Sequence, residues 1–162
     1  MMDWSTACPN WQVRIRQQQS LVPPPLFPEE AAAAMRVFDQ LVLVDVAGRP
    51  TLGDASRPWL RDFVSAIFGA QDPDSGRRLI TEFFLLVSKK NAKSSSAAGI
   101  MLTALILNWR HSAEFLILAP TIEIAKNSFI PARDMVNADE SLSRLLMVQE
   151  HIRTRSEEHT SE

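Results

Sequence analysis

The rhythm of apolar and polar positions changes along the chain, and each change predicts an element. Trp59, Leu60, Phe63, Val64, Ile67 and Phe68 recur at helical spacing and form one apolar face. Ser56 as cap, Pro58 in the first turn and Gly69 at the C-terminal position bound that helix. Upstream, Pro28, Glu29 and Glu30 suit the opening turn of an alanine-rich helix ending near Gln40. Residues 41–46 are a short apolar run before Ala47-Gly48-Arg49-Pro50, equally compatible with strand or loop. Asp72-Pro73-Asp74-Ser75-Gly76 reads as a turn. Beyond it, Phe83-Phe84-Leu85-Leu86-Val87 is continuously apolar and of strand length, the pattern of a strand covered on both faces. A polar loop follows, then a small-residue helix over 93–108, and then a second such run, Phe115-Leu116-Ile117-Leu118-Ala119. Residues 121–136 predict a helix interrupted at Pro131, and Asn137 with Glu140 resembles a capping pair for a last helix through Leu142, Leu145, Leu146 and Val148. Strand, loop, helix, strand, helix is a βαβ pattern, so the expectation is an α/β fold with a parallel sheet and a right-handed crossover.

Residues 1–28 break these rhythms. They hold Gln17-Gln18-Gln19-Ser20 and the triplet Pro23-Pro24-Pro25, which favours extended polyproline geometry, so this segment is expected to pack as an arm. Composition narrows the class. Lys+Arg 17 against Asp+Glu 19 gives a net charge of −2, which excludes a uniformly basic surface but allows a local basic patch. With 46% hydrophobic and 22% charged residues the chain is globular in composition. Its one cysteine, Cys8, excludes an intramolecular disulfide framework and a multi-cysteine zinc site, and it has no evident base partner. His111, His151 and His159 are too scattered to suggest a metal site. The longest apolar stretch, 97–107, is too short for a bilayer and no secretory signal is visible, so a soluble intracellular protein without a membrane partner is expected.

The chemistry is concentrated in the loop between the first apolar run and its helix. The phosphate-loop pattern is Gly, four residues, Gly, Lys and Ser or Thr, set between a strand and a helix. Here the stretch reads Val87, Ser88-Lys89-Lys90-Asn91, Ala92, Lys93, Ser94, with alanine and valine in place of the two glycines. Backbone N–H groups of such a loop and of the first helical turn converge on a volume where the helix dipole favours an anion. Lys93 is placed to reach β- and γ-phosphates, and the Ser94 hydroxyl to ligate Mg²⁺. From Gly76 to Ala113 six basic residues (Arg77, Arg78, Lys89, Lys90, Lys93, Arg110) face Glu82 alone. The competing reading is a solvated basic turn with Lys93 as a surface residue.

Val87-Ser88-Lys89-Lys90-Asn91-Ala92-Lys93-Ser94-Ser95 resembles the divergent Walker A segment of tailed-bacteriophage terminase large subunits. That family tolerates loss of the first glycine and carries a basic residue early in the loop. The resemblance extends through Ala97-Ala98-Gly99-Ile100 and Leu116-Ile117-Leu118-Ala119-Pro120-Thr121, and upstream to Arg57-Pro58-Trp59, Phe63-Val64 and Ile67-Phe68-Gly69, covering about residues 52–152. It implies a P-loop NTPase-like (ASCE) fold, here an incomplete parallel sheet flanked by helices and preceded by an irregular and helical arm. It further implies an ATP- and Mg²⁺-dependent motor that packages double-stranded DNA into proheads, coupled in the whole protein to a nuclease. The partners so implied are the portal protein, the small terminase subunit and further copies in a ring, in the cytoplasm of the bacterial host. Ser88, Lys89, Lys90, Asn91, Ala92, Lys93, Ser94 and Ser95 would then hold the phosphates.

No apolar strand ending in an Asp-Glu pair follows Val136, so the chain is expected to be the leading ATPase part of a longer protein, binding nucleotide without turning it over. The expected division is an arm and helix over 1–51, a partial ATPase domain over 52–154, and a tail over 155–162 that resembles the in-frame translation of a sequencing-library adapter. Trp59 is either an adenine-stacking ring or a packing residue of its helix, Thr121 either a nucleotide-facing group or a helix cap, and Arg77 and Arg78 either phosphate contacts or a solvated pair. Two alternatives stand beside the motor: a non-catalytic α/β module whose basic loop binds nucleic acid or a protein, and another P-loop enzyme such as a helicase or kinase.

Overall fold

The computed structural model describes residues 4–108, 110 and 113–149, and its regular structure is helical. In chain order the helices are α1 (Trp11–Arg16), α2 (Pro28–Gln40), α3 (Leu52–Ala55), α4 (Pro58–Phe68), α5 (Lys93–Ile106), α6 (Ile122–Ala138) and α7 (Glu140–Leu145). Proline opens α2 and α4, as the sequence predicts, and Gly69 ends α4. The α4 N-cap is Arg57 without a side-chain cap; Ser56 instead terminates α3, its hydroxyl buried and unpartnered.

The predicted parallel sheet is not there. Among the described residues the β contacts are two isolated antiparallel bridges, Val42 with Thr51 and Gln71 with Arg78, each beside a tight turn. Segments 83–87 and 115–119 lack regular secondary structure and form no ladder with one another. Their side chains explain why. Phe84 and Leu86 are 85% and 83% exposed, and Leu116 and Leu118 74% and 87%. A parallel strand needs a hydrogen-bonding neighbour and cover on both faces. Here the helices cover part of one face, and among the described residues no neighbouring strand meets either edge. The P-loop NTPase-like (ASCE) α/β expectation is therefore corrected to an α-helical architecture carrying two non-helical apolar segments. Phe83 anchors the first against α4 through an edge-to-face contact with Phe63 at 6.2 Å.

The core lies where α2, α4, α5 and α6 meet. Phe38, Val64 and Ala98 are fully buried, and Leu52, Leu60, Leu102, Met135 and Val136 pack with them. Asp39 of α2 and Arg61 of α4 are joined by a two-pronged salt bridge at 2.6 and 2.9 Å, and Asp39 holds the guanidinium pKa above its ordinary value. Segment 20–27 straps this body: the Phe27 N–H donates to the Gly69 carbonyl at 2.9 Å, and a methyl at Gly69 would run into Pro25.

Two local expectations are also revised. α6 continues through Pro131, because an interior proline removes the bond to the carbonyl four residues back without dismantling the packing on either side. The cap of α7 is Asp139, not Asn137; its carboxylate accepts from the N–H groups of Ser141 and Leu142 at 2.8 and 3.0 Å. The predicted tail at 155–162, together with His111, His151 and His159, lies outside the described residues.

Gly99 marks the closest approach of α5 to its neighbours. A Cβ there would meet Leu52 Cδ1 and lie 3.0 Å from Phe38 Cε2, and both side chains are locked in the core. In an exposed helix Gly→Ala gains about 1 kcal/mol of propensity. At this position overpacking, typically about 1–3 kcal/mol, is expected to win. Gly99→Ala should therefore lower the urea midpoint of unfolding, and a raised midpoint would show that the contact can relax.

Candidate functional site

The loop 88–92 and the first turn of α5 form the candidate site. α5 begins without a side-chain cap and without an acidic residue in its first turn, so the N–H groups of Lys93, Ser94 and Ser95 and the positive end of the helix dipole are left uncompensated. Ala92, the N-cap, lies in the left-handed region with φ of 51°, and Lys90 with φ of 66°. These are conformations glycine adopts at least cost. The loop thus takes a glycine-like path through an alanine and a lysine.

Side chains tie the loop to itself. Lys93 Nζ donates to the carbonyls of Val87 at 3.0 Å and Ser88 at 2.7 Å. Asn91 Nδ2 donates to Ser88 Oγ at 2.8 Å and Ser88 O at 3.3 Å. Ser96 Oγ donates to the Ala92 carbonyl at 2.8 Å, and its N–H bonds the same oxygen at 2.9 Å. Lys89, Lys90 and Lys93 are exposed, Ser94 and Ser95 half-buried. From residue 83 to 113 there is no Asp or Glu, so an anion entering the loop meets no opposing carboxylate from this stretch.

The sequence-predicted residues 88–95 are therefore brought together, with Lys93 folded over the loop rather than standing free in solvent. Trp59 is half-buried and packs against the helical core. The Thr121 hydroxyl caps α6 by accepting from the Ile124 N–H at 3.3 Å. Glu123 beside it has its carboxyl held below the usual carboxylate range, by its own backbone N–H first and the Thr121 hydroxyl second. Arg78 reaches back to the Ile67 carbonyl at 2.6 Å, and Arg110 to the Gly76 carbonyl at 3.3 Å. Desolvation lowers the Arg78 pKa, yet a guanidinium stays charged.

The two large clefts lie elsewhere. One of about 700 Å³ runs between α5 and α6, lined by Leu105, Phe115, Ile122, Phe129, Lys126 and Arg133 among others. The other, about 650 Å³, sits at the C-terminal end of α5 among Phe68, Gln71, Arg78, Asn108 and Glu114. Neither contains a residue of the loop. Sequence reasoning missed both, since each assembles side chains distant in sequence; the basic residues Arg78 and Arg110 were the only local sign of the second. No helix among the described residues is long and apolar enough to cross a membrane, and no group of three or more His, Cys, Asp or Glu among them could hold a metal ion.

The head of α5 thus carries uncapped N–H donors, three lysines and the Ser94 hydroxyl, in a stretch from 83 to 113 without Asp or Glu. The family model for the terminase large subunit, ATPase domain, matches residues 58–161, more than half of the chain. The chain belongs to that family and carries an ATPase portion of a terminase large subunit. No curated protein and no solved structure matches it.

Proposed function

We propose that the segment 88–95 forms the seat for the β- and γ-phosphates of ATP and that the chain serves the motor which packages viral double-stranded DNA. The observation that carries this reading is the uncapped, acid-free start of α5 beneath Lys93, in a chain of the terminase ATPase family. N–H donors at the helix start would hold phosphate oxygens, and Lys93 and the flanking Lys89 and Lys90 would balance their charge. Ser94 fits Mg²⁺ by its hydroxyl alone, so the metal would depend on phosphate oxygens for most of its shell. Bound there, Mg²⁺ would neutralise charge on the transferring phosphoryl group. The same proposal includes the portal protein, the small subunit and further copies in a ring as partners, in the cytoplasm of a bacterial host, within a protein that also cuts the packaged DNA.

The direct test is a titration of the 162-residue chain with ATP, ADP and adenosine, with Mg²⁺ or EDTA. ATP with Mg²⁺ is expected to bind with a dissociation constant on the order of 0.1–1 mM, and adenosine far more weakly. Ser94→Ala should weaken ATP binding about three- to tenfold in Mg²⁺, the scale of one hydrogen bond or ligand, and leave it unchanged in EDTA. Equal affinity for ATP and adenosine would remove the phosphates from the site.

A further inference from the structure

We infer that Asn91 is a positioning residue, the clasp that holds a glycine-poor phosphate loop in its working shape, and not itself a phosphate ligand. The inference rests on the phosphate reading for its function but not for its geometry. Two residues of this loop, Lys90 and Ala92, sit at φ of 66° and 51°, where an L-residue is disfavoured relative to glycine. Something must hold the chain there. The Asn91 amide lies between these two residues and turns inward. Its Nδ2 donates to Ser88 Oγ at 2.8 Å and Ser88 O at 3.3 Å, with Lys89 O at 3.5 Å. The reverse amide orientation would set Oδ1 against two carbonyls, so the donor face is the one that fits. An amide already facing three loop oxygens has no N–H left to offer an incoming phosphate.

The clasp also bears on Lys93. Ser88 O accepts from both Asn91 Nδ2 and Lys93 Nζ, so one carbonyl links the asparagine to the ammonium. Fixing Ser88 fixes where Nζ rests. Asn91 therefore acts on a ligand through Ser88 and Lys93, and removing the Ser88 hydroxyl should cost nothing further once Asn91 has been removed.

The test combines two measurements on the full chain. Trypsin cleavage after Lys89 and Lys90 in the nucleotide-free protein reads the loop, with cleavage after Arg14 and Arg16 in the short helix α1 as internal reference. Asn91→Ala should raise loop cleavage about threefold or more relative to that reference, and adding Ala92→Gly should restore part of the protection by relieving the left-handed cost. ATP–Mg²⁺ titrations of Ser88→Ala, Asn91→Ala and the double variant read the coupling. Asn91→Ala should raise the dissociation constant about three- to tenfold, and the double variant should be no worse than Asn91→Ala within twofold. Additive penalties, or unchanged loop cleavage in Asn91→Ala, overturn the clasp. If the wild-type chain binds ATP no better than adenosine, the phosphate reading falls by itself, and the clasp stands or falls on the cleavage arm.

Discussion

Phe38→Ala is expected to cost about 3–5 kcal/mol of folding stability, the range for truncating a fully buried phenylalanine. Phe38 is 0% exposed and sits where α2 meets α4 and α5, its ring edge beside Gly99 and near Leu52. The glycine on the facing helix cannot fill the vacated volume, since it has no side chain to reorient. Leu52 and Val64 are held by their own helices, so collapse around the cavity should be partial. For a domain with a total stability of about 5–15 kcal/mol, this removes a large share. A chain of this length should lose roughly 2–4 °C of melting temperature per kcal/mol, or about 6–20 °C. Val13→Ala on α1, which has no buried residue, should shift stability by less than about 0.5 kcal/mol. A loss below about 1 kcal/mol in Phe38→Ala would mean that α2, α4 and α5 do not close on one core.

The core was legible in the sequence because helix periodicity is local. The face Leu60, Val64 and Phe68 is set by spacing alone, and proline and glycine mark its ends. α5 was legible for a different reason: a small-residue stretch following a loop lysine. The segments at 83–87 and 115–119 were misread because continuous apolarity describes what a residue would bury, not whether a neighbouring strand is there to pair with it. The decision is made by non-local partners, and among the described residues those partners are helices. Cap identity fell to a similar ambiguity. Asn137 and Asp139 are both competent caps, and the continuation of α6 to Ala138 selected the second. At the loop the sequence located the residues but not their mutual bonds. That Lys93 turns back to Val87 and Ser88, and that Asn91 faces inward, depends on the left-handed turns at Lys90 and Ala92, which no glycine announces.

Those bonds shape the expectation for Lys93→Ala, which should weaken ATP–Mg²⁺ binding about tenfold or more, on the order of 1.4–3 kcal/mol for a charge-assisted contact. An ammonium has three donors, and two carbonyls occupy two of them at 3.0 and 2.7 Å. The third remains for a phosphate oxygen, so binding need not break the loop's own bonds, and truncation removes both the charge and the tie to Ser88. Lys93→Arg should rescue poorly, because a planar fork cannot reproduce three tetrahedral donors in the same space. Lys89→Ala and Lys90→Ala remove charge from exposed positions with no bond into the loop. Their penalties should be smaller and fade as salt shortens the screening length from about 10 Å at 0.1 M to about 3 Å at 1 M. The loss in Lys93→Ala should persist, since it arises at contact distance. Titrating the wild type and the four variants with ATP–Mg²⁺ at both salt concentrations separates the two kinds of charge. Equal affinity in the wild type and Lys93→Ala would sink the assignment of this loop to phosphate, whatever the family to which the chain belongs.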